Sequence, residues 1–309
     1  MTTTQPVRTT DRLSSSEAAG VLAIATAASR ADGVYPLSED AVLRVSHAGP
    51  GVASGDAARV HLLVDLDGEL AGYAYLDRSD PDGPSGELVV HPRHRLRGHG
   101  TALLAAAAQV ADGAGQRFWA HGDEAGARVF AEKNGFHRAR VLWQMRRSLA
   151  TAWPEAPLPA GVTLRHFRPG VDDEEWLGVN ARAFAHHPEQ GRWTENDLQL
   201  RIDEPWFDPA GFLLAVDLQD TVLGFHWTKV RPADGDDPAI GEIYVLGVDP
   251  GGHRRGLGAA LSVAGLDYLR GLGLTEAMLY VDESNTAAVA LYRRLGFEIW
   301  STDVMYARP

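Results

Sequence analysis

"GEIYVLGVDPGGHRRGLGAAL" occupies Gly241 to Leu261, and "GELVVHPRHRLRGHGTALL" occupies Gly86 to Leu104. Each stretch reads as an apolar strand, a proline stop, a basic loop with spaced glycines and the start of an apolar helix. Gly256 follows Gly98 by 158 residues, and at that spacing Asp249-Pro250 falls on His91-Pro92, Arg255 on Arg97 and Gly258 on Gly100. Leu295-Gly296-Phe297 matches Asn134-Gly135-Phe136 after a further slip of three residues. Landmarks kept in order over such a distance mark a duplicated domain.

The chain has 309 residues, which suits two domains of about 150 residues each. Between the copies lies "ATAWPEAPLPAG", Ala150 to Gly161, where Pro154, Pro157 and Pro159 remove backbone donors and favour an extended connector. The expected division is therefore a first domain over 1–149, a linker over 150–161 and a second domain over 162–309. Within the second, "GFLLAV", "VLGFHWTKV" and "GEIYVLGV" read as strands. "GLGAALSVAGLDYLRGLG" carries Leu257, Leu261, Ala264 and Leu269 at helical spacing, "AMLYV" is a strand, "NTAAVALYRRLG" a helix and "FEIWSTDVMYA" a last strand. The first domain repeats the order as "RVHLLVDL", "ELAGYAYLD", "GELVV", a helix from about Gly98 to Asp112, "RFWAH", a helix around Ala125 to Lys133 and "FHRARVLWQMRR". The fold class is α/β, with a mixed, mostly antiparallel sheet flanked by helices in each half.

Composition narrows the chemistry. Apolar residues make up 45% and charged residues 23%, an ordinary globular balance. With 41 acidic and 29 basic residues the formal charge is -12, which disfavours nucleic acid and anionic membranes as partners. The chain has no cysteine, so disulfides, thiolate metal sites and a cysteinyl acyl-enzyme are excluded. The run Val21 to Ala28 has neither the flanks of a signal peptide nor the length of a membrane span, so a cytoplasmic location is expected. His186, His187 and His226 show no metal-ligand spacing, and no metal is expected.

In "HRRGLG" the glycines allow close backbone approach, and the helix that follows presents unpaired N–H groups at its positive end. Both favour phosphate, and Arg254 and Arg255 add charge. The alternative is a plain glycine-rich turn with solvated arginines, which the second copy makes less economical. Neither copy has the Lys-Ser/Thr of a nucleotide-triphosphate loop, and the strand order does not suit a dinucleotide fold. A different pyrophosphate-bearing cofactor fits.

Strand, Arg/Gln-x-x-Gly-x-Gly/Ala loop, helix, strand, Asn-led helix and Gly-Phe together resemble the GNAT acetyltransferases, in both halves. The resemblance implies acetyl-CoA as cosubstrate. Its pantetheine arm would pair with Leu88-Val89-Val90 in the first half and with Leu246-Gly247-Val248 in the second. Its pyrophosphate would lie on Arg95, Leu96, Arg97, Gly98, His99 and Gly100, and on His253, Arg254, Arg255, Gly256, Leu257, Gly258 and Ala259. Asn285, Thr286, Ala287, Ala288, Val289 and Ala290 would complete the second site. His253 departs from the usual Arg or Gln of the loop's first position, which Arg95 keeps.

Acetyl transfer from a thioester to an amine needs the ammonium deprotonated and the departing thiolate protonated. Without cysteine, direct attack in a ternary complex is favoured. Glu242, on the strand beside the expected thioester, suits the proton acceptor, and Tyr292 stands where the GNAT family places a tyrosine that protonates the thiolate. An exposed strand glutamate and a core-packing tyrosine are the structural alternatives. In the first half Glu87 matches Glu242, but Ala131 falls opposite Tyr292 and Glu124 opposite Asn285, so catalysis is expected in the second half only.

The tandem arrangement, together with "FAHHPEQGRWT" (184–194), "WFDP" (206–209), "GFHWTKV" (224–230) and "AHG" (120–122), resembles the mycothiol acetyltransferase family over nearly the whole chain. That resemblance implies acetylation of the cysteinyl amine of cysteinyl-glucosaminyl-inositol, with substrate contacts at Glu39, Glu189, Lys229, Glu242 and Tyr280; separately, a monomer is expected. Glutamates accept hydrogen bonds from hydroxyls or an ammonium, whereas Lys229 only donates. Trp193, Trp206 and Trp227 suit either a sugar site or the core. Two rivals are a tandem acetyltransferase for another amine, such as an aminoglycoside or a peptide amino terminus, and a non-catalytic acetyl-CoA sensor.

Overall fold

The computed structural model describes residues 6–46, 58–66, 68–79, 83–187, 190–233, 238–252 and 256–309. They form two compact units, Met1–Val141 with Thr302–Pro309, and Leu142–Ser301.

The first unit runs β1 (Arg8–Thr10), α1 (Ser15–Asp32), α2 (Glu39–Ser46), β2 (Arg59–Leu66), β3 (Glu69–Asp77), β4 (Ser85–Val90), α3 (His99–Ala111), β5 (Gln116–Ala120) and α4 (Ala125–Lys133). Its strand order is β1-β2-β3-β4-β5, with β4 and β5 parallel and the other pairs antiparallel. Helix α1 starts where Ser14 and Glu17 form a reciprocal capping box, and it stops at Gly33, whose left-handed φ of 77° suits glycine. Its buried Val21, Ile24, Ala25 and Ala28 recur at helical spacing and meet Leu63, Tyr73 and Val89 of the sheet. Helix α3 buries Leu103, Leu104 and Ala107 among Leu62, Val64 and Ala74.

The second unit contains β7 (Thr163–His166), α5 (Asp173–Ala183), α6 (Glu195–Ile202), β8 (Phe212–Val216), β9 (Val222–Arg231), β10 (Ile240–Val248), α7 (Leu257–Gly271), β11 (Glu276–Asp282) and α8 (Thr286–Arg294). Strands β7-β8-β9-β10-β11 are in sequential contact, and β10 and β11 are parallel. Strand β8 is buried along its whole length, because aromatic residues of the α5–α6 side cover one face and α7 with its neighbours covers the other. Gly265 on α7 makes room for the buried His226 ring, whose Nδ1 meets the Leu261 carbonyl at 2.7 Å; a Cβ at Gly265 would stand 2.0 Å from that ring.

Each unit's sheet is completed by a strand from the other half of the sequence. Leu142–Ser148 of β6 (His137–Ser148) pair antiparallel with β11, and Val304–Arg308 of β12 (Glu298–Arg308) pair antiparallel with β5. The division between units consequently falls within β6 and β12, not in the proline-rich 150–161 segment as expected. Strand patterning identifies a strand and its buried face, but it does not identify which sheet accepts that strand.

Candidate active site

In the second unit β10 and β11 pair only from Gly241 to Ile243 on the β10 side. The register on β9 shifts between Ile243 and Val245, after which Leu246, Gly247 and Val248 continue along β9. A bulge bends its strand, so the two parallel strands diverge and leave a wedge beside Leu246–Val248. Helix α7 opens after Gly256, whose φ of 88° is left-handed and which provides no side-chain cap. The first-turn N–H groups beyond Gly256 are the ones expected to meet an anion. His253, Arg254, Arg255 and Glu189 lie outside the described residues.

The first unit repeats this geometry. Strands β4 and β5 pair only at Ser85 and Gly86, and Gly98, with φ of 89° and no side-chain cap, precedes α3. A cavity of about 960 Å³ is lined by Leu88, Val89, Val90, Arg95, Leu96, Gly98, His99 and Gly100, and also by Trp119, His121, Glu124 and Phe130. The predicted loop residues thus converge on one cavity, with Arg97 outside its lining. Arg95 differs from expectation in its partners: its Nη atoms each donate to Asp32 at 2.7 Å, and its Nε donates to the Val90 carbonyl at 3.2 Å. That pair raises Arg95 above its ordinary value and fixes the loop from inside the unit.

Glu242 is 3% exposed and lies in register with Lys229 on β9 and Met278 on β11. Arg231 Nε donates to Glu242 Oε2 at 2.7 Å. The Lys229 ammonium lies 4.2 Å from the Trp206 ring centre and 5.1 Å from that of Tyr244, a cation–π arrangement. Tyr280, two residues along β11 from Met278, accepts from Gln144 Nε2 at 2.9 Å and has the Arg231 guanidinium 5.9 Å from its ring centre. Lys229, Glu242 and Tyr280 therefore share one sheet face, as strand alternation requires.

Tyr292 of α8 is buried on the opposite side with Ile243, Leu279 and Phe297. Burial pushes its phenol up to about 12, so it stays protonated in the neutral range. Asn285 caps α8, its Oδ1 accepting from the Ala288 N–H at 3.1 Å, while Val289 is buried and Thr286, Ala287 and Ala290 are exposed. Glu39 begins α2 in the first unit and is half-buried. Trp193 and Trp206 are half-buried, whereas Trp227 is wholly buried and stacked on Phe212 with ring centres 4.4 Å apart, which makes Trp227 core.

The carboxylate of the first unit has different partners. Glu87 Oε2 accepts from the Ser38 N–H at 2.8 Å, and Oε1 lies 3.4 Å from His121 Nε2. His121 Nδ1 lies 3.0 Å from Asp303 Oδ2. Ala131 and Glu124 occupy the positions of Tyr292 and Asn285, and Glu124 makes no side-chain cap. Burial opposes charge on His121, but hydrogen bonds to Asp303 and Glu87 outweigh it and push the imidazolium up to about 10. A group whose pKa rises on folding contributes stability below its unfolded value and loses it above. The contribution of His121 is therefore full below about 6.5 and is lost as pH rises through about 10. Denaturant unfolding of wild type and His121→Gln should converge across that window; parallel curves would remove this role.

Arg231, Gln144, Asp303 and His121 were not singled out individually from sequence. Arg231 had a signal, since it lies two residues beyond Lys229 on the same strand face. Gln144 and Asp303 had none, because both act on strands whose sheet was not legible.

Residues 179–297 match the model of the acetyltransferase (GNAT) family, and residues 57–138 match that of an acetyltransferase (GNAT) domain. A mycothiol acetyltransferase of Salinispora arenicola is 55% identical over 100% of both chains. A mycothiol acetyltransferase of Thermobispora bispora is 57% identical over 93% of this chain and 95% of its own. Among solved structures, a tandem GNAT protein from the clavulanic acid biosynthesis pathway superposes with a TM-score of 0.71 at 21% identity over 98% of each chain, a likeness of fold. A GCN5-related N-acetyltransferase from Sphaerobacter thermophilus gives 0.67 at 25% identity, covering 99% of this chain and 96% of that one.

Proposed function

The chain belongs to the mycothiol acetyltransferases and carries two GNAT domains, and from that premise we propose that its second unit acetylates the cysteinyl amine of cysteinyl-glucosaminyl-inositol, releasing mycothiol and CoA. The observation that carries the assignment to this unit is the difference between the copies. Glu242 stands at the mouth of a strand wedge with a protonated, buried Tyr292 beyond it, whereas the first unit has Ala131 in place of the tyrosine and a Glu87 engaged by His121.

Acetyl-CoA is the cosubstrate that fits the residues present. Uncapped helix starts after left-handed Gly98 and Gly256 supply N–H donors for pyrophosphate, and Leu88–Val90 and Leu246–Val248 offer strand backbone to an extended arm. In the second unit Glu242 takes the proton of the acceptor ammonium, directly or through water, so that the amine nitrogen is free to bond to the thioester carbonyl carbon. As the carbon–sulfur bond breaks, Tyr292 gives its phenolic proton to the departing thiolate.

Lys229, Tyr280 and Glu189 are the proposed acceptor contacts. Both proton-transfer residues belong to one unit, so the reading needs no second copy and is compatible with a monomer. None of the described helices is long and apolar enough to cross a membrane. Use of acetyl-CoA puts the reaction in the cytoplasm, where that thioester is made.

The test incubates the purified protein with acetyl-CoA and the cysteinyl pseudodisaccharide and reads the product by mass. An acceptor about 42 Da heavier, with the acetyl on nitrogen, is expected. No such product while an aminoglycoside is acetylated would overturn the acceptor assignment, and no transfer to any amine would favour a sensor. Thiol release alone is a poor readout, because the acceptor carries its own thiol.

A further inference from the structure

The sheet face that carries Glu242 continues past Tyr280 onto β6. Tyr280 is in register with Gln144, and Met278 is in register with both Glu242 and Arg146. Met278 is buried and forms the floor between those two charged neighbours. Gln144 Nε2 donates to the Tyr280 hydroxyl at 2.9 Å, and Gln144 Oε1 accepts from Arg146 Nε at 3.1 Å. The Arg146 guanidinium in turn lies 4.3 Å from the centre of the Trp300 ring. Trp300 is 65% exposed. Large indoles are ordinarily much more buried, and ordering an arginine and a glutamine beside one costs both side chains rotamer entropy. An ordered polar ladder ending in a solvent-facing indole, all in line with the reacting carboxylate, is an arrangement a ligand would use.

We propose that Tyr280, Gln144, Arg146 and Trp300 form an outer subsite that binds a neutral, polyhydroxylated six-membered ring of the acceptor. Such a ring presents an apolar face of C–H bonds to an indole and a rim of hydroxyls that donate to Gln144 Oε1 or accept from Gln144 Nε2 and the Arg146 guanidinium. The four residues include a cation and no carboxylate, and Arg231 adds a second cation beside Tyr280. A multiply charged aminoglycoside ring is disfavoured there, whereas the ring system of the pseudodisaccharide, whose glucosamine nitrogen is an amide, carries no further positive charge. This subsite rests on the acceptor assignment made above.

Calorimetric titration with N-acetylglucosaminyl-inositol, which lacks the reacting amine, separates the two claims. The wild-type protein binds it, and Trp300→Ala and Arg146→Met each weaken binding by at least about tenfold, the loss expected when a central anchor is truncated. Trp300→Ala also raises KM for the pseudodisaccharide by a similar factor while leaving kcat unchanged. Turnover of a ring-free cysteine amide is unaltered in the variant. Absence of ring binding by wild type, or equal binding by wild type and both variants, overturns the subsite. If wild type binds the ring yet acetylates no cysteinyl acceptor, the acceptor assignment fails and the subsite stands.

Discussion

Tyr292→Phe lowers kcat by about 10²- to 10⁴-fold, the range lost when a positioned general acid is removed, with acetyl-CoA affinity unchanged. The substitution deletes one hydroxyl from a ring buried against Phe297, so the apolar contacts with Leu279, Val281 and Phe297 are kept. The expected deficit is chemical rather than structural because burial holds the phenol at about 12, leaving it a donor throughout the neutral range. Single-turnover acetylation with calorimetric binding of acetyl-CoA reads the two quantities separately. A fall in affinity equal to the fall in rate would make Tyr292 a packing residue, the alternative its burial also permits. In the first unit Ala131 stands at this position. A tyrosine placed there is expected to confer no turnover while Glu87 is held by Ser38 and His121.

The spaced glycines made the fold legible, because a strand, a left-handed glycine and a helix start form one local unit whose parts are fixed by neighbouring residues. Gly98 and Gly256 have nearly equal φ, 89° and 88°, and the helix over Ala125 to Lys133 has the bounds its sequence suggests. Helices α1, α2, α5 and α6 carry no such signal, and the small residues of "EAAGVLAIATAAS" explain one of these: alanines bury a helix face without strong amphipathic contrast. The strand exchange was illegible for a different reason. "FHRARVLWQMRR" and "FEIWSTDVMYA" both alternate, and nothing local tells β6 to seek β11 or β12 to seek β5. Every site consequence of that exchange was hidden with it. Asp303 reaches His121, and Gln144 reaches Tyr280, only because each strand lies in the sheet of the other half. Glu242 and Tyr292 were readable because their own strand and helix carry them.

Glu242→Gln lowers kcat by about 10²- to 10³-fold near neutral pH, in the range of general-base catalysis, and the deficit shrinks as pH rises. The second half of that expectation discriminates between roles. An amide is nearly the volume of the carboxylate and still offers Arg231 Nε an oxygen in place of the 2.7 Å partner, so the site keeps its shape. What the amide cannot do is hold the proton of the acceptor. An α-amine with a pKa of about 8 is increasingly free base above that value, and a free amine needs no base before it attacks. Rate profiles of wild type and variant should therefore approach one another on the alkaline side. A deficit of constant size from neutral to alkaline pH would mean that Glu242 positions the amine by its charge and takes no proton. Glu87→Gln is the matched control in the other unit, where the carboxylate braces His121; it should lower stability at neutral pH and leave kcat in place. Comparable losses of turnover from the two substitutions, in folded protein, would remove the division of labour between the copies.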